Sequence, residues 1–240
     1  MIRRLSYNYR EGKSPALVFL HGWGLNKSAF DKVVQLIDDS TSFFCFDFFG
    51  FGESEESREY YDTYEYAYHI FLHLKTLNID RVILVGHSFG GRVAVILSSV
   101  FNIKVEKLIL TSSAGLVRFS IKKHIKITLY KFLKFLAKYK IISQKFLKNC
   151  GSKDYKKLNL NMKQCFKKIV NQDLKYLLKD IKCETFLVWD KRDKETPFWM
   201  CKCFNKYILL SNILIYQNGR HFTFQKNVYK FANFINCLLL

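Results

Sequence analysis

Arg81-Val82-Ile83-Leu84-Val85-Gly86-His87-Ser88-Phe89-Gly90-Gly91-Arg92-Val93-Ala94-Val95-Ile96-Leu97 decides the fold. A β-branched apolar run bounded by glycine reads as a buried strand, and the apolar run after Gly91 reads as a helix. The chain therefore passes from strand to helix through one sharp turn with Ser88 at its apex. Such a turn holds the serine hydroxyl out at the end of a sheet, and its flanking glycines are needed where a side chain would meet neighbouring backbone. Ser88 is thus a candidate nucleophile.

Outward from this turn, short apolar runs alternate with longer amphipathic stretches, the pattern of a mainly parallel sheet with helices on both faces. Strands are expected at Ala16–Leu20, Ser42–Phe46, Arg81–Val85, Lys107–Thr111, Thr185–Trp189 and Asn212–Tyr216, and an antiparallel edge strand within Arg3–Tyr9. Helices are expected at Ser28–Asp38, Thr63–Leu77, Gly90–Phe101, Pro197–Tyr207 and Phe224–Cys237. The stretch Val117–Lys182 breaks the rhythm. It has helical spacing at Ile121, Ile125, Leu129, Phe132 and Leu136 and reads as a helical insertion before the last two strands. The expected division is a core of residues 1–116 and 183–240 carrying an insertion of residues 117–182.

A serine hydroxyl is a poor nucleophile until a base takes its proton, and the base needs a third group to fix its tautomer. In a sheet of this topology, acid and base follow the serine in that order on loops after later strands. Asp193 follows the strand ending at Trp189, and His221 follows the strand ending near Tyr216. Charge developing on a substrate oxygen must also meet donors already in place. The turn His21-Gly22-Trp23-Gly24 follows the first buried strand, and the backbone amides of Trp23 and Phe89 are the candidate donors. His21 is expected to brace its loop, and His69, His73 and His124 to lie on helix surfaces.

The runs His21-Gly22-Trp23-Gly24, Asp47-Phe48-Phe49-Gly50-Phe51-Gly52-Glu53-Ser54 and Gly86-His87-Ser88-Phe89-Gly90-Gly91, with Asp193 and His221, resemble the α/β-hydrolase superfamily in order and interval. The resemblance implies the α/β-hydrolase fold, a mostly parallel central sheet flanked by helices with a helical lid, and a Ser88–His221–Asp193 triad. It implies cleavage of a small-molecule carboxylic ester through an acyl-enzyme, with no cofactor and no metal. The run His21-Gly22-Trp23-Gly24-Leu25-Asn26 resembles the biotin-pathway carboxylesterases that demethylate pimeloyl-acyl-carrier-protein methyl ester. Near-identical turns occur in C–C bond hydrolases and in lipases, which are the alternative readings. Two departures stand out, Phe49 in place of the usual Pro and Asp190 in place of the usual Gly. Asp193 keeps the usual distance to Pro197 and is favoured as the acid, with Asp190 or Glu195 as alternatives.

Of a formal net charge of +19, residues 117–182 carry +16, leaving the core close to neutral. A basic lid would attract an acidic partner with an affinity that fades in salt, and the resemblance makes acidic acyl carrier protein the expected one. Its lysines Lys122, Lys123, Lys131, Lys134 and Lys138 alternate with apolar residues and also suit an anionic membrane surface. No nucleic-acid-binding motif accompanies the charge. No apolar run approaches the length of a membrane span, and the N-terminus lacks the apolar core of a secretory signal, so a cytoplasmic location is expected. The cysteines, Cys45, Cys150, Cys165, Cys183, Cys201, Cys203 and Cys237, are odd in number and lack zinc spacing, which suits free thiols.

Overall fold

Short apolar runs become strands here because alternate side chains point to opposite faces of a sheet, and both faces are covered. The computed structural model describes residues 4–56, 59–117, 137 and 158–239. Its strands are β1 (Tyr7–Arg10), β2 (Lys13–Leu20), β3 (Thr41–Phe46), β4 (Arg81–His87), β5 (Lys104–Thr111), β6 (Glu184–Trp189) and β7 (Ser211–Ile215). They form one sheet in the order β1-β3-β2-β4-β5-β6-β7. β1 runs antiparallel to β3, and every other pair is parallel. The sequence expectation of a mostly parallel sheet with an antiparallel N-terminal edge therefore holds.

The described helices are α1 (Asp31–Val34), α2 (Thr63–Thr76), α3 (Phe89–Val100), α4 (Leu160–Asn171), α5 (Phe198–Tyr207), α6 (Thr223–Lys226) and α7 (Val228–Leu239). Val18, Leu20, Leu84 and Leu110 face one layer, with Ile70 of α2, Val93 of α3 and Phe204 of α5. Leu17, Phe19, Val85 and Ile109 face the other, with Val33 of α1 and Phe231 and Ile235 of α7. Full burial of each such side chain is worth about 1.5–3 kcal/mol, so the central strands anchor both layers at once.

Three expectations need correction. The helix foreseen over Ser28–Asp38 is a 3-10 turn, Lys27–Phe30, followed by only the short α1. Leu36 and Ile37 then bond back three residues, to Val33 and Val34, rather than four, which tightens and ends the helix. The helix foreseen over Phe224–Cys237 is broken at Asn227, whose side-chain amide donates to the carbonyls of Gln217 and Thr223. That side chain competes with the helical ladder at the break. On α2, His73 is buried and His69 is half-buried, not exposed. The N-terminal segment passes α2 at Leu5, whose amide donates to His73 Nε2 at 2.9 Å. His69 packs against the rings of Phe49 and Tyr61.

Between β5 and β6, α4 and a 3-10 turn at Lys175–Asp180 are helical. Leu174, Leu178 and Ile181 are buried with α3 and α5. Two hydrogen bonds of 2.8 Å tie this segment to the core, Leu174 N to Gly115 O and Arg92 Nη1 to Gln172 O. Residues Ile121, Ile125, Leu129, Phe132 and Leu136, the lysines Lys122, Lys123, Lys131, Lys134 and Lys138, and His124 and Cys150 lie outside the described residues. Among the described residues no helix is long and apolar enough to cross a membrane, and no disulfide joins the cysteines.

Candidate active site

The strand order reverses at β2: the chain leaves β3 on one side of it and returns as β4 on the other. The crevice outside the carboxyl ends of strands at such a reversal is where open parallel sheets take their ligands. Leu20 pairs with Gly86, so the turns after β2 and β4 open side by side. The loops after β6 and β7 leave the same sheet edge.

After β4, Ser88 sits at φ 50° and ψ −108°, a left-handed conformation that few side-chain-bearing residues adopt. The turn is this tight because its glycines touch neighbouring backbone. A Cβ at Gly90 would collide with Leu20 O, and one at Gly86 would lie 2.7 Å from Gly90 O. The Ser88 carbonyl accepts from the amides of Gly91 and Ala114, at 3.1 and 3.0 Å. The side chain is therefore aimed by the backbone beneath it.

Beside this turn, a Cβ on Gly22 would lie 3.4 Å from Ser88 Cβ, which places the loop after β2 against the serine. His21 is committed within that loop. Its Nδ1 lies 2.8 Å from Gly22 O, and its Nε2 accepts from the Phe48 amide at 3.2 Å. Burial pushes its pKa down to about 4, against a partial rise from the Gly22 hydrogen bond and Asp47. The ring is a neutral brace, as the sequence suggested. The amides of Trp23 and Phe89 donate to no acceptor among the described residues. The Trp23 ring meets Phe51, Phe89 and Phe166 of α4, which gives the crevice an aromatic wall.

Beneath that wall, Asp47 holds the run of phenylalanines and glycines after β3 in place. Its carboxylate accepts from the amides of Lys27 and Glu53, at 2.5 and 2.9 Å. Gly52, at φ 55°, lies so close that a Cβ would strike this carboxylate.

After β6 and β7 the structure brings Asp193 and His221 together. Asp193 Oδ2 lies 3.0 Å from His221 Nδ1. Asp193 Oδ1 accepts from the amides of Glu195 and Thr196, at 2.8 and 3.0 Å, and the Thr196 hydroxyl donates to Oδ2 at 2.7 Å. Burial alone would raise the Asp193 pKa, but hydrogen bonds from His221 and Thr196 and the charge of His221 hold it below the ordinary value. Asp190 has a different task. Its carboxylate accepts from the amides of Arg192, Gly219 and Arg220, and so fixes the loop that carries His221. Burial opposes ionisation there too, yet those amides and the Arg192 guanidinium bring its pKa down to about 2.

His221 is buried, and its ring lies 4.8 Å, centre to centre, from that of His87, the residue before Ser88. Among the described residues no hydrogen bond joins the Ser88 hydroxyl to His221. The ring's Nε2 lies 3.4 Å from Glu195 Oε2 instead. Sequence reasoning weighed Glu195 only as a substitute acid. The part it missed is Thr196, three residues after Asp193, where an Asp side chain readily caps the following amides. Ser88, Trp23, Phe89, Asp193 and His221 all occupy one sheet edge, an arrangement able to activate a hydroxyl, shuttle a proton and receive an oxyanion.

The alpha/beta hydrolase fold family model matches residues 15–141. The chain belongs to the alpha/beta hydrolase fold family. An AB hydrolase superfamily protein of Bacillus subtilis is 25% identical over 255 residues, covering 93% of this chain and 91% of that protein. An uncharacterised Mycobacterium tuberculosis protein is 34% identical over 107 residues, 45% of this chain, and the matched region spans only 31% of that relative. An esterase of Exiguobacterium antarcticum has the same fold, with a TM-score of 0.77 at 19% identity, covering 99% of this chain and 96% of the esterase.

Proposed function

We propose that the chain is a serine hydrolase that cleaves a carboxylic ester through an acyl-enzyme. The observation that carries this reading is the buried Asp193–His221 pair, at 3.0 Å, on the sheet edge where the left-handed Ser88 turn opens. Asp193 binds Nδ1 and so leaves Nε2 as the basic nitrogen. Nε2 takes the Ser88 proton as the hydroxyl attacks the ester carbonyl, and the oxyanion settles on the amides of Trp23 and Phe89. The imidazolium then protonates the leaving alcohol, and water releases the acid by the same steps in reverse. Nε2 must first turn from Glu195 to Ser88; catalytic hydrogen bonds are often long in ligand-free sites and tighten once substrate binds.

The aromatic wall of Trp23, Phe51, Phe89 and Phe166 suits an apolar acyl or alcohol group. We read residues 117–182 as the lid of this hydrolase, and their +16 charge favours an acidic acyl carrier as the donor of the ester, pimeloyl-type methyl esters among them. An ester panel, free and carrier-linked, assayed at low and high salt with wild type and Ser88→Ala tests both levels. Ser88→Ala should lose at least about a thousandfold in turnover; retained turnover removes Ser88 from the mechanism. Carrier linkage should raise kcat/KM at low salt only, and a carrier advantage of zero at every salt concentration removes the partner.

A further inference from the structure

Two carboxylates on the loop after β6 meet the two nitrogens of one imidazole. Asp193 Oδ2 faces His221 Nδ1 at 3.0 Å, and Glu195 Oε2 faces Nε2 at 3.4 Å. The two acids are held very differently. Asp193 is shut away from water and fixed by the Glu195 and Thr196 amides and the Thr196 hydroxyl. The Glu195 side chain is 67% exposed, and among the described residues its carboxylate has the His221 ring as its one partner. One contact is built in, and the other is free to let go.

While Nε2 faces the Glu195 carboxylate it is not turned to Ser88, and it cannot take the serine proton from there. Nε2 is the nitrogen that the proposed reaction needs, because Nδ1 is committed to Asp193. The other groups around the ring cannot replace Glu195 in this role. The Thr196 hydroxyl lies 3.4 Å from Nδ1, and the rings of Phe222 and His87 pack on the imidazole. His87 is uncharged, because burial and then the neighbouring His221 push its pKa down to about 3. Among the described residues the ion pairs to this ring are those of Asp193 and Glu195.

We propose that Glu195 is a positioning residue that holds His221 Nε2 away from Ser88 in the resting enzyme, so that only the fraction with Glu195 released can react. This rests on the reading of Ser88 and His221 given above. Substrate entry, or salt that screens an exposed pair, shifts the population towards the competent state.

The test uses the full chain, with Glu195→Gln and Glu195→Ala assayed on p-nitrophenyl acetate at low and high salt, and ring nitrogen-15 NMR of His221. Both variants should exceed wild-type kcat/KM by about two- to fivefold, the shift that an exposed ion pair can impose. Salt should raise the wild type towards the variants and leave the variants unmoved. The NMR should show the Nε2 resonance displaced in Glu195→Gln against the wild type, with the Nδ1 resonance, held by Asp193, unmoved. Variants at or below wild-type kcat/KM, or a ring unchanged by the substitution, overturn the proposal. The NMR needs no turnover, so it decides the role of Glu195 even with an ester the enzyme ignores. Adding Ser88→Ala to Glu195→Gln separates the two readings. Turnover that survives in the double variant refutes Ser88 itself, whereas Ser88-dependent turnover indifferent to residue 195 refutes only the role of Glu195.

Discussion

Ser88 is held at φ 50° by the strand before it and the helix after it, and a serine in that region stores strain of about 1–3 kcal/mol. Ser88→Gly should therefore stabilise the fold by about 1 kcal/mol, after the added chain entropy of glycine is set against the strain. Ser88→Ala keeps the Cβ and should leave the thermal midpoint unchanged, while both variants lose turnover. Thermal melts of the two beside the wild type check this, and a glycine variant no more stable than the alanine one would mean that the turn is relaxed. The serine was legible in the sequence because the same crowding that strains it demands glycine at residues 86, 90 and 91, and glycine leaves a pattern. The choice of Asp193 over Asp190 rested in the sequence on the spacing to Pro197 alone. Both acids follow β6 at the same edge, and their partners separate them: the amides around Arg220 for Asp190, the His221 ring for Asp193.

At the scale of elements, the strands were readable because a strand buried on both faces needs an unbroken apolar run, and few other local structures tolerate one. Helix ends were less readable, since a single side chain settles them. Asn227 breaks the C-terminal helix through bonds to carbonyls at residues 217 and 223, the first ten residues away in the chain. α2 shows the opposite case, a local signal that holds. Asp62 accepts from the amides of Tyr64 and Glu65, and the Glu65 side chain accepts from the Asp62 amide. This reciprocal cap anchors a helix whose residues Tyr66, Ile70 and Leu74 pack in the core with Phe89, and Asp62 also receives the Gln172 amide from beyond α4. Asp62→Ala should cost about 1 kcal/mol, the ordinary worth of a helix cap. A denaturant midpoint that does not move would show that packing alone fixes the start of α2.

For the whole molecule, pH is the variable that the buried histidines control. His21 and His87 are both 1% exposed, and burial lowers their pKa values to about 4 and about 3 from an ordinary 6.5. In the unfolded chain these rings take up protons as pH falls through 6.5, while the folded protein refuses them until much lower. The unfolded state thus binds more protons throughout that window, and stability falls on acidification. Each histidine contributes a slope of at most about 1.4 kcal/mol per pH unit. Below the ordinary carboxylate value of 3.8, Asp190, with its folded pKa near 2, and Asp193 add to the same trend. Their carboxylates are favoured by the fold, so their contribution is present above that value and is lost as they are protonated. A chain with a formal net charge of +19 at neutral pH also repels itself more strongly as its acids are neutralised. Stability should therefore decline from pH 6.5 and steepen below 4, rather than collapse in one acid step. Urea midpoints measured at intervals across that range test this, with His87→Phe as the control that should flatten the upper part of the curve. A wild-type midpoint constant between pH 6.5 and 4 would mean that both rings can charge in place, and that a neutral His21 ring is not what braces the Trp23 loop beside Ser88.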